Sequence, residues 1–277
     1  MTGAQVGSLL REWRERRRLS QLGLAVDAGV SARHVSFVEN GRARPSPEMV
    51  LHLAERLEVP LRERNQLLLS AGYAPMYGQR TLDDAEMQPV REAIGLVLEG
   101  HEPYPALVVD QHWNLVAANR GLAELTEGVA AELMEGPVNV LRVALHPKGL
   151  APRIVNLAEW RTHLLERLDR QITATSDPVL VALRDELAAY PDTNATGNGH
   201  DRAGGDGKGA DGPAATDGAQ LARDIVVCLR LRTGDGELAF FSTVATFGTA
   251  VDVTISELAI ESFFPADRAT AEYLRRR

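Results

Sequence analysis

Apolar residues in the first part of the chain recur at the spacing of an α-helix. Val6, Leu9, Leu10 and Trp13 fall on one helical face. Serines that favour helix N-caps then stand before three further segments, and a last apolar repeat precedes Gly72. The segments predicted to be helical are 21–28, 32–39, a helix opened by Ser46-Pro47, and 61–71. This pattern predicts an all-α domain over residues 1–72.

The remainder of the chain mixes two periodicities. Residues 73–89 are rich in Gly, Pro and Gln and are typical of a linker, and an amphipathic helix follows with Val90, Ile94, Val97 and Leu98 on its inner face. Short apolar or alternating runs predict five strands, and helical repeats lie between the second and the third. The predicted strands are 106–109, 113–117, 225–232, 237–246 and 251–255, and the clearest helices are 157–172 and 179–189.

This order of elements predicts an α+β domain over residues 90–274, with a five-stranded antiparallel sheet and a helical middle. It is the order of a PAS-like domain, in which a pocket lies between sheet and helices. Residues at about 193–219 are dominated by Gly, Asp, Ala and Asn and contain almost no large apolar side chain. Such a composition cannot offset the entropy of ordering, so we expect a disordered insertion there.

Charge is distributed unevenly along the chain. Residues 1–80 carry twelve Arg or Lys and eight Asp or Glu, a net +4, whereas residues 81–277 have a net charge of −12. The total of −8 alone argues against a nucleic-acid partner. The asymmetry instead indicates that one part of the protein faces phosphate and another does not.

Two of the predicted helices are joined by a tight turn at Ala28-Gly29-Val30, which makes a helix-turn-helix. The segments SQLGLAVDAGVS (20–31) and FVENGR (37–42) keep the spacing of helix starts, turn glycine and exit of the lambda-repressor/Cro-like, or XRE, family. The chain closely resembles that family from residue 5 to about residue 60. The resemblance implies that the second helix of the motif lies in the major groove of duplex DNA.

The residues expected to contact DNA lie on and beside that recognition helix. Its first turns present base-contacting candidates, of which Arg33 is the strongest because a guanidinium can bind guanine O6 and N7 together. His34 either assists or only covers the helix, and Phe37 either packs in the core or touches a thymine methyl. The candidate DNA-binding residues are Gln21, Ser31, Ala32, Arg33, His34, Ser36, Asn40, Arg42 and Arg44. Among them Gln21 is placed near a phosphate by the resemblance, and Asn40, Arg42 and Arg44 are expected to hold phosphates.

The second domain also carries a resemblance. The segments PYPALVVD (103–110), WNLVAAN (113–119), VNVLR (138–142), GLAPRIVN (149–156) and ESFFPAD (261–267) resemble the MmyB-like regulator ligand-binding domain. The resemblance spans about residues 85–190 and 221–274. It implies a PAS-like domain that holds a small apolar ligand, fatty-acid-like in character.

Such a pocket needs apolar walls and a few polar anchors. The candidate wall residues are Leu115, Leu141, Trp160, Leu164, Phe240 and Val244, each of which is otherwise an ordinary core residue. Candidates for the head group of a fatty acid are Arg153, Asn156 and His163, since Arg offers a planar fork to a carboxylate. Arg153 has the alternative of pairing with an acid of its own domain.

Other chemistry is not expected. The histidines show no metal-ligand spacing, the single Cys228 reads as a small core residue, and no nucleophile elbow or zinc-protease motif occurs. We therefore expect no metal, no cofactor and no enzymatic activity. No apolar stretch reaches membrane-span length and residues 1–10 lack the features of a secretion signal, so a cytoplasmic location without membrane contact is expected.

The sequence thus favours a ligand-responsive, DNA-binding transcriptional regulator that acts as a homodimer. Dimerisation is expected because one helix-turn-helix reads few bases, and paired half-sites one helical turn apart are the usual solution. Two alternatives stay open. In one, the second domain only dimerises and its pocket is filled by side chains; in the other, it is a cofactor-carrying PAS-type sensor.

Overall fold

The computed structural model describes residues 2–191, 227–248 and 250–276. They form two compact units. The first comprises Met1–Gln88, Thr173–Thr175 and Phe247–Glu257, and the second comprises Pro89–Ile172, Ser176–Thr246 and Leu258–Arg277. The insertion predicted at about 193–219, and the first residues of the strand predicted at 225–232, lie outside the described residues.

Five helices build the N-terminal part of the first unit, as the apolar pattern predicts: α1 (Thr2–Arg16), α2 (Gln21–Asp27), α3 (Ala32–Glu39), α4 (Pro47–Arg56) and α5 (Leu61–Ser70). The three predicted N-caps are confirmed. The Ser20 hydroxyl accepts from the Gly23 amide, Ser31 from His34 and Ser46 from Met49. Each serine satisfies one of the amides that a helix start leaves without a partner.

The helices of this unit enclose one apolar core, to which α1 contributes Val6, Leu10 and Trp13. α1 and α3 approach closely at Gly7. A Cβ built there would lie 2.4 Å from the Val38 carbonyl oxygen, so the contact requires a residue without a side chain. α3 is thereby held with one face against the core.

The segment Phe247–Glu257 belongs to the first unit by its contacts, although its neighbours along the chain are strands of the second. The strand predicted at 251–255 is wrong. Val251 is exposed, and Val253–Ser256 forms a short helix, α11, which begins where the Asp252 carboxylate accepts from the Thr254 amide. The amide of Val253 donates to the Gly78 carbonyl, so the bonding partner is a residue far away in the sequence rather than a neighbouring strand.

Two ion pairs fasten this segment within the first unit. Arg62 of α5 donates two hydrogen bonds to the Glu257 carboxylate, at 2.7 and 2.8 Å. Arg80 donates to Asp252 at 3.1 Å. Much of the predicted linker is therefore packed: residues 76 and 77 donate backbone amides to Asn65 Oδ1, and the first unit extends to Gln88.

The second unit is built on a five-stranded antiparallel sheet in the order β2-β1-β5-β4-β3. The strands are β1 (Ala106–Val109), β2 (Leu115–Ala118), β3 (Leu229–Thr233), β4 (Gly236–Thr246) and β5 (Ala259–Pro265). The predicted fold class is confirmed, but the last strand lies at Ala259–Pro265 rather than at 251–255. β2 also begins later than predicted, because Trp113 occupies a left-handed turn with φ 69°.

Helices pack around the sheet, and β1 is buried on both of its faces. The helices are α6 (Gln88–Gly100), α7 (Arg120–Leu125), α8 (Val140–Leu145), α9 (Leu157–Thr175), α10 (Pro178–Ala188) and α12 (Arg268–Arg275), with single 3-10 turns at Ala131–Leu133 and Ala151–Arg153; a further 3-10 turn, Ala85–Met87, lies in the first unit. Ile94 and Leu98 of α6 are buried as predicted, whereas Val97 is about half exposed. In the part of the chain that the structure describes, no helix has the length and apolarity of a membrane span.

Candidate functional site

α3 presents the start of its outer face to solvent. Val35 and Val38 are buried in the core, which turns the opposite face of the helix outward. Arg33 is exposed, and its guanidinium lies 5.0 Å from the centre of the Phe37 ring. Phe37 is half-buried and lies outside the apolar core cluster, so it serves as a platform under Arg33. The contact is a cation–π pair, which holds the guanidinium near the start of the helix.

The other candidate DNA-binding residues on α3 differ in their exposure and in their hydrogen bonds. Ser31 is exposed and Ala32 is half-buried, and both stand at the helix start. Ser36 Oγ accepts a hydrogen bond from Asn40 Nδ2 at 3.3 Å. The ring of His34 is half-buried, and its Nε2 is a buried atom that meets no hydrogen-bonding partner among the described residues.

Gln21 takes part in a buried network that the sequence reading missed. Arg14 of α1 donates to both carboxylate oxygens of Glu39, at 2.7 and 2.9 Å, and Gln21 Nε2 donates to Glu39 Oε2 at 2.8 Å. A further Arg14 nitrogen donates to the Leu19 carbonyl. The network joins α1, the start of α2 and the end of α3. It therefore fixes the position of α3 relative to its neighbours.

The two arginines after α3 are placed differently. Arg42 is exposed, and its side chain makes no hydrogen bond or ion pair within the described residues. Arg44 is exposed too, but its guanidinium donates to the Ala71 carbonyl at 3.0 Å and lies 5.2 Å from the centre of the Tyr73 ring. Arg44 therefore caps the end of α5, while Arg42 is free to meet an anion.

A separate apolar cavity of about 290 Å³ lies inside the second unit, between the sheet and its helices. Four of the six predicted wall residues line it, namely Leu115, Leu141, Trp160 and Leu164. Phe240 is fully buried in the surrounding core and Val244 is about half exposed, and neither belongs to the lining. Further walls come from Leu107, Leu122, Val138, Val140, Ile154, Leu229 and Phe263.

The three candidates for binding a carboxylate head group lie outside that lining. Arg153 donates to the backbone carbonyls of Leu125, Glu127 and Arg232 and borders a different, polar depression. Asn156, just before α9, donates through Nδ2 to the Cys228 carbonyl and accepts through Oδ1 from the Arg230 amide of β3. The side chains of Arg153 and Asn156 therefore both form hydrogen bonds to backbone groups of neighbouring segments.

His163 stacks on Trp160, with ring centres 5.5 Å apart. Burial lowers the pKa of His163 below its usual range, and the nearby charges of Arg167 and Arg170 lower it further. The histidine is therefore held neutral behind the cavity wall and contributes no positive charge to it.

The polar groups that do line the cavity are Asn119, Thr126 and Glu261. Asn119 and Thr126 already bond to backbone groups. Glu261 of β5 is buried and pairs with Arg167, whose guanidinium also lies 4.3 Å from the centre of the Trp113 ring. Sequence analysis missed Glu261; the signal was a charged residue inside an apolar strand. Among the described residues, no cluster of three potential metal ligands occurs.

Comparison with known proteins gives two family matches. Residues 90–276 match the MmyB-like transcription regulator ligand binding domain, and residues 5–67 match a helix-turn-helix domain. The first match alone covers more than half of the chain.

Individual proteins match part of the chain. The chain is 43% identical over 68 residues to the HTH-type transcriptional repressor RghR of Bacillus subtilis (strain 168), covering 24% of this chain and 48% of that protein. It is 35% identical over 81 residues to the uncharacterized HTH-type transcriptional regulator RghRB of the same organism, covering 29% and 56%. The chain thus spans about half the length of the curated relatives it matches. A solved structure of the clp gene regulator ClgR from C. glutamicum shares 24% identity at a TM-score of 0.23, covering 26% of this chain and 90% of that one.

Proposed function

The chain belongs to the MmyB-like transcription regulators, and from that premise we propose that it binds duplex DNA through α3 and responds to a small apolar ligand. The position of Arg33 is the main support for DNA binding through α3. It is exposed at the start of a helix that Ser31 caps and that the Glu39 network anchors. In a helix-turn-helix, that position meets base edges in the major groove.

We assign different tasks to the residues around Arg33. Its guanidinium reads a guanine through two hydrogen bonds, and Ser31, Ala32, His34 and Ser36 face neighbouring bases. Asn40 and Arg42 hold phosphates, which fixes the register without reading sequence. Gln21 keeps its amide nitrogen on Glu39 and donates the second hydrogen of that nitrogen to a phosphate, because a phosphate oxygen needs a donor. Arg44 reaches a phosphate only by leaving Ala71 and Tyr73.

The protein acts as a homodimer in this proposal. One α3 spans too few base pairs for a unique site, and two copies related by a two-fold axis read half-sites about one helical turn apart. Because we propose that the protein acts by binding and releasing DNA, we also propose that it is cytoplasmic and that it is not an enzyme.

Selection from a pool of random-sequence duplexes tests the DNA half directly. The full chain is immobilised, bound duplexes are amplified over several rounds, and selection is repeated at higher salt to suppress contacts to phosphate alone. We expect enrichment of a two-fold symmetric sequence. A pool that stays random, with binding that only tracks salt, would contradict base reading by α3.

The cavity of the second unit supports the ligand half of the proposal. It is enclosed by apolar side chains on the sheet and helices, and its volume of about 290 Å³ is close to the lower end of small-molecule pockets, ~300–1,000 Å³. We propose an amphiphile with an alkyl or acyl chain, fatty-acid-like in its apolar part. Leu115, Leu141, Trp160 and Leu164 are the proposed wall contacts.

Denaturing the purified full chain and analysing the released small molecules by mass spectrometry tests this half. We expect an apolar molecule at about one copy per chain or fewer. If the protein releases nothing and the cavity binds no added amphiphile, the second domain acts as a dimerisation module. A visible absorption band that leaves with the released molecule would instead indicate a cofactor-carrying sensor.

The segment Phe247–Glu257 is the proposed route by which ligand binding changes DNA affinity. It is bonded within the first unit through Arg62–Glu257 and Arg80–Asp252, and the chain continues from it into β4 on one side and β5 on the other. β5 carries Phe263, which lines the cavity. A ligand shifts the equilibrium by as much as its affinities for the two states differ, and a shift of β5 reaches the segment through the backbone.

A further inference from the structure

Glu261 places a carboxylate at the wall of an otherwise apolar cavity. Its side chain is only 7% exposed, and it belongs to the residues that line the cavity. On β5 it points to the same side of the sheet as Phe263, two residues later, which is also part of the lining. A charge in such a place is costly unless hydrogen bonds compensate for it.

The compensation that the structure provides is incomplete. Arg167 Nη1 donates to Glu261 Oε1 at 3.0 Å, and within the described residues this is the only hydrogen bond to the carboxylate. An ionised carboxylate has about four acceptor sites on its two oxygens. Within the described residues Oε2 therefore accepts no hydrogen bond, and its residue lines a cavity of about 290 Å³.

The other polar groups of the lining do not compete for a ligand. Asn119 accepts from the Ala106 amide and donates to Leu98 O and Tyr104 O, and the Thr126 hydroxyl lies within hydrogen-bond reach of the Leu122 and Ala123 carbonyls of its own helix. Glu261 is therefore the polar lining group that retains capacity for a new hydrogen bond. The capacity is for a donor, not for an acceptor.

Arg167 does not turn the site into one for anions. Its guanidinium is held between the Glu261 carboxylate and the face of Trp113, so its charge is already engaged by an acid and a ring. A carboxylate entering the cavity would face Glu261 at short range, and like charges in a poorly hydrated site repel strongly.

We propose that the ligand carries a hydrogen-bond donor, a hydroxyl or an amine, which binds Glu261 while its alkyl chain fills the apolar cavity. The inference rests on the proposed function of this cavity as a ligand site and specifies the head group. The ligand class is a long-chain alcohol or amine rather than a free fatty acid. Glu261 selects the head group, and Arg167 positions Glu261.

Three probes that share a ten-carbon chain and differ only in the head group test the inference: decanol, decylamine and decanoate. Their dissociation constants are measured by titration calorimetry on the full wild-type chain after removal of any co-purified molecule. We expect decanol and decylamine to bind about ten-fold more tightly than decanoate, because only they can donate a hydrogen bond to Glu261 Oε2. The two donors also distinguish a neutral from a cationic head group.

A variant of Glu261 tests whether this side chain causes the head-group preference. Glu261→Gln keeps the shape but removes the charge and adds donors, so the ranking should level out or shift towards decanoate. Glu132→Gln is the matched control, because Glu132 is exposed and pairs with Lys148 on the surface; its ranking should equal that of the wild type. The wild-type ranking decides the matter even where Glu261→Gln folds poorly.

The outcomes separate the two levels of the argument. Decanoate binding as tightly as decanol, or more tightly, would overturn the head-group inference and leave the cavity as a ligand site. Failure of all three probes to bind would overturn the proposed ligand function itself. Equal rankings for Glu261→Gln and wild type would show that Glu261 does not select the head group.

Discussion

Each unit contains a buried glutamate that pairs with an arginine, and the two differ in how completely they are bonded. Glu39 in the first unit accepts two hydrogen bonds from Arg14 and one from Gln21. Glu261 in the second accepts one, from Arg167, and borders an apolar cavity. Both residues are almost completely buried.

The difference in hydrogen bonding distinguishes a carboxylate that stabilises the fold from one that can bind a ligand. A buried carboxylate whose acceptor sites are filled by the protein has no remaining capacity, and it serves to fix the helices that supply the donors. A carboxylate whose sites are partly filled retains capacity for a ligand. The first arrangement suits the base of a recognition helix, which must be rigid, and the second suits a pocket that must respond.

Breaking the saturated pair should have the largest effect on stability. Glu39→Ala takes the close partner from the buried Arg14 and leaves it only the exposed Glu15, 3.7 Å away, so we expect a loss of about 3–5 kcal/mol in the free energy of unfolding. Denaturant titration monitored by circular dichroism measures it. Glu12→Ala, which removes an exposed partner of Arg16 on the same helix, is the control and should change little. A loss no larger than that of the control would mean that the Glu39 network does not anchor α3.

The partly bonded glutamate should matter less. Glu261→Gln removes one charged hydrogen bond from the protein, so a loss of about 1–3 kcal/mol is expected in the same titration. It should be clearly smaller than the loss for Glu39→Ala. A loss as large as or larger than that one would remove the distinction between the two sites.

Sequence reasoning predicted the five N-terminal helices more fully than the later part of the chain, for a physical reason. Helix caps such as Ser20, Ser31 and Ser46 act on amides three residues away, so local sequence is sufficient to predict them. The strand predicted at 251–255 failed because Val253 bonds to Gly78, whose proximity no local pattern reveals.

The candidate sites show the same division. Arg33 was predictable because the exposed face of one helix follows from its apolar face. The cavity wall was partly predictable, since Leu115, Leu141, Trp160 and Leu164 are apolar and central. Its polar group was not, because whether Glu261 or Arg153 meets the cavity depends on which carbonyls and side chains fold around each of them.

The segment Phe247–Glu257 offers a way to uncouple the two sites without damaging either. Glu257→Gln weakens the ion pair with Arg62 and leaves the cavity and α3 unchanged. We expect the ligand-dependent change in affinity for the selected duplex to shrink by about five-fold, the low end of typical couplings. Fluorescence anisotropy with and without decanol measures it. Glu272→Gln, in an exposed pair with Arg268, is the control, and an unchanged ligand response in Glu257→Gln would rule out this route.

The free energy of unfolding should depend slightly on pH because of His163. The lowered pKa of His163 means that the unfolded chain takes up a proton more readily than the folded one. Stability is therefore retained above the usual histidine pKa and lost as the pH falls below it, through the lowered pKa of the folded state. His163→Gln should flatten this part of the stability–pH curve, measured by denaturant titration at each pH. A curve as steep as that of the wild type would show that His163 is not the group responsible.

The affinity of the full chain for its selected duplex, compared between wild type and Arg33→Ala, tests the central claim most directly. Anisotropy titrations are run on that duplex and on a random duplex of equal length and at equal salt. We predict that Arg33→Ala weakens binding to the selected duplex by about 1–3 kcal/mol and leaves binding to random DNA nearly unchanged. An equal loss on both duplexes would contradict base reading by α3, and would make Arg33 a phosphate contact only.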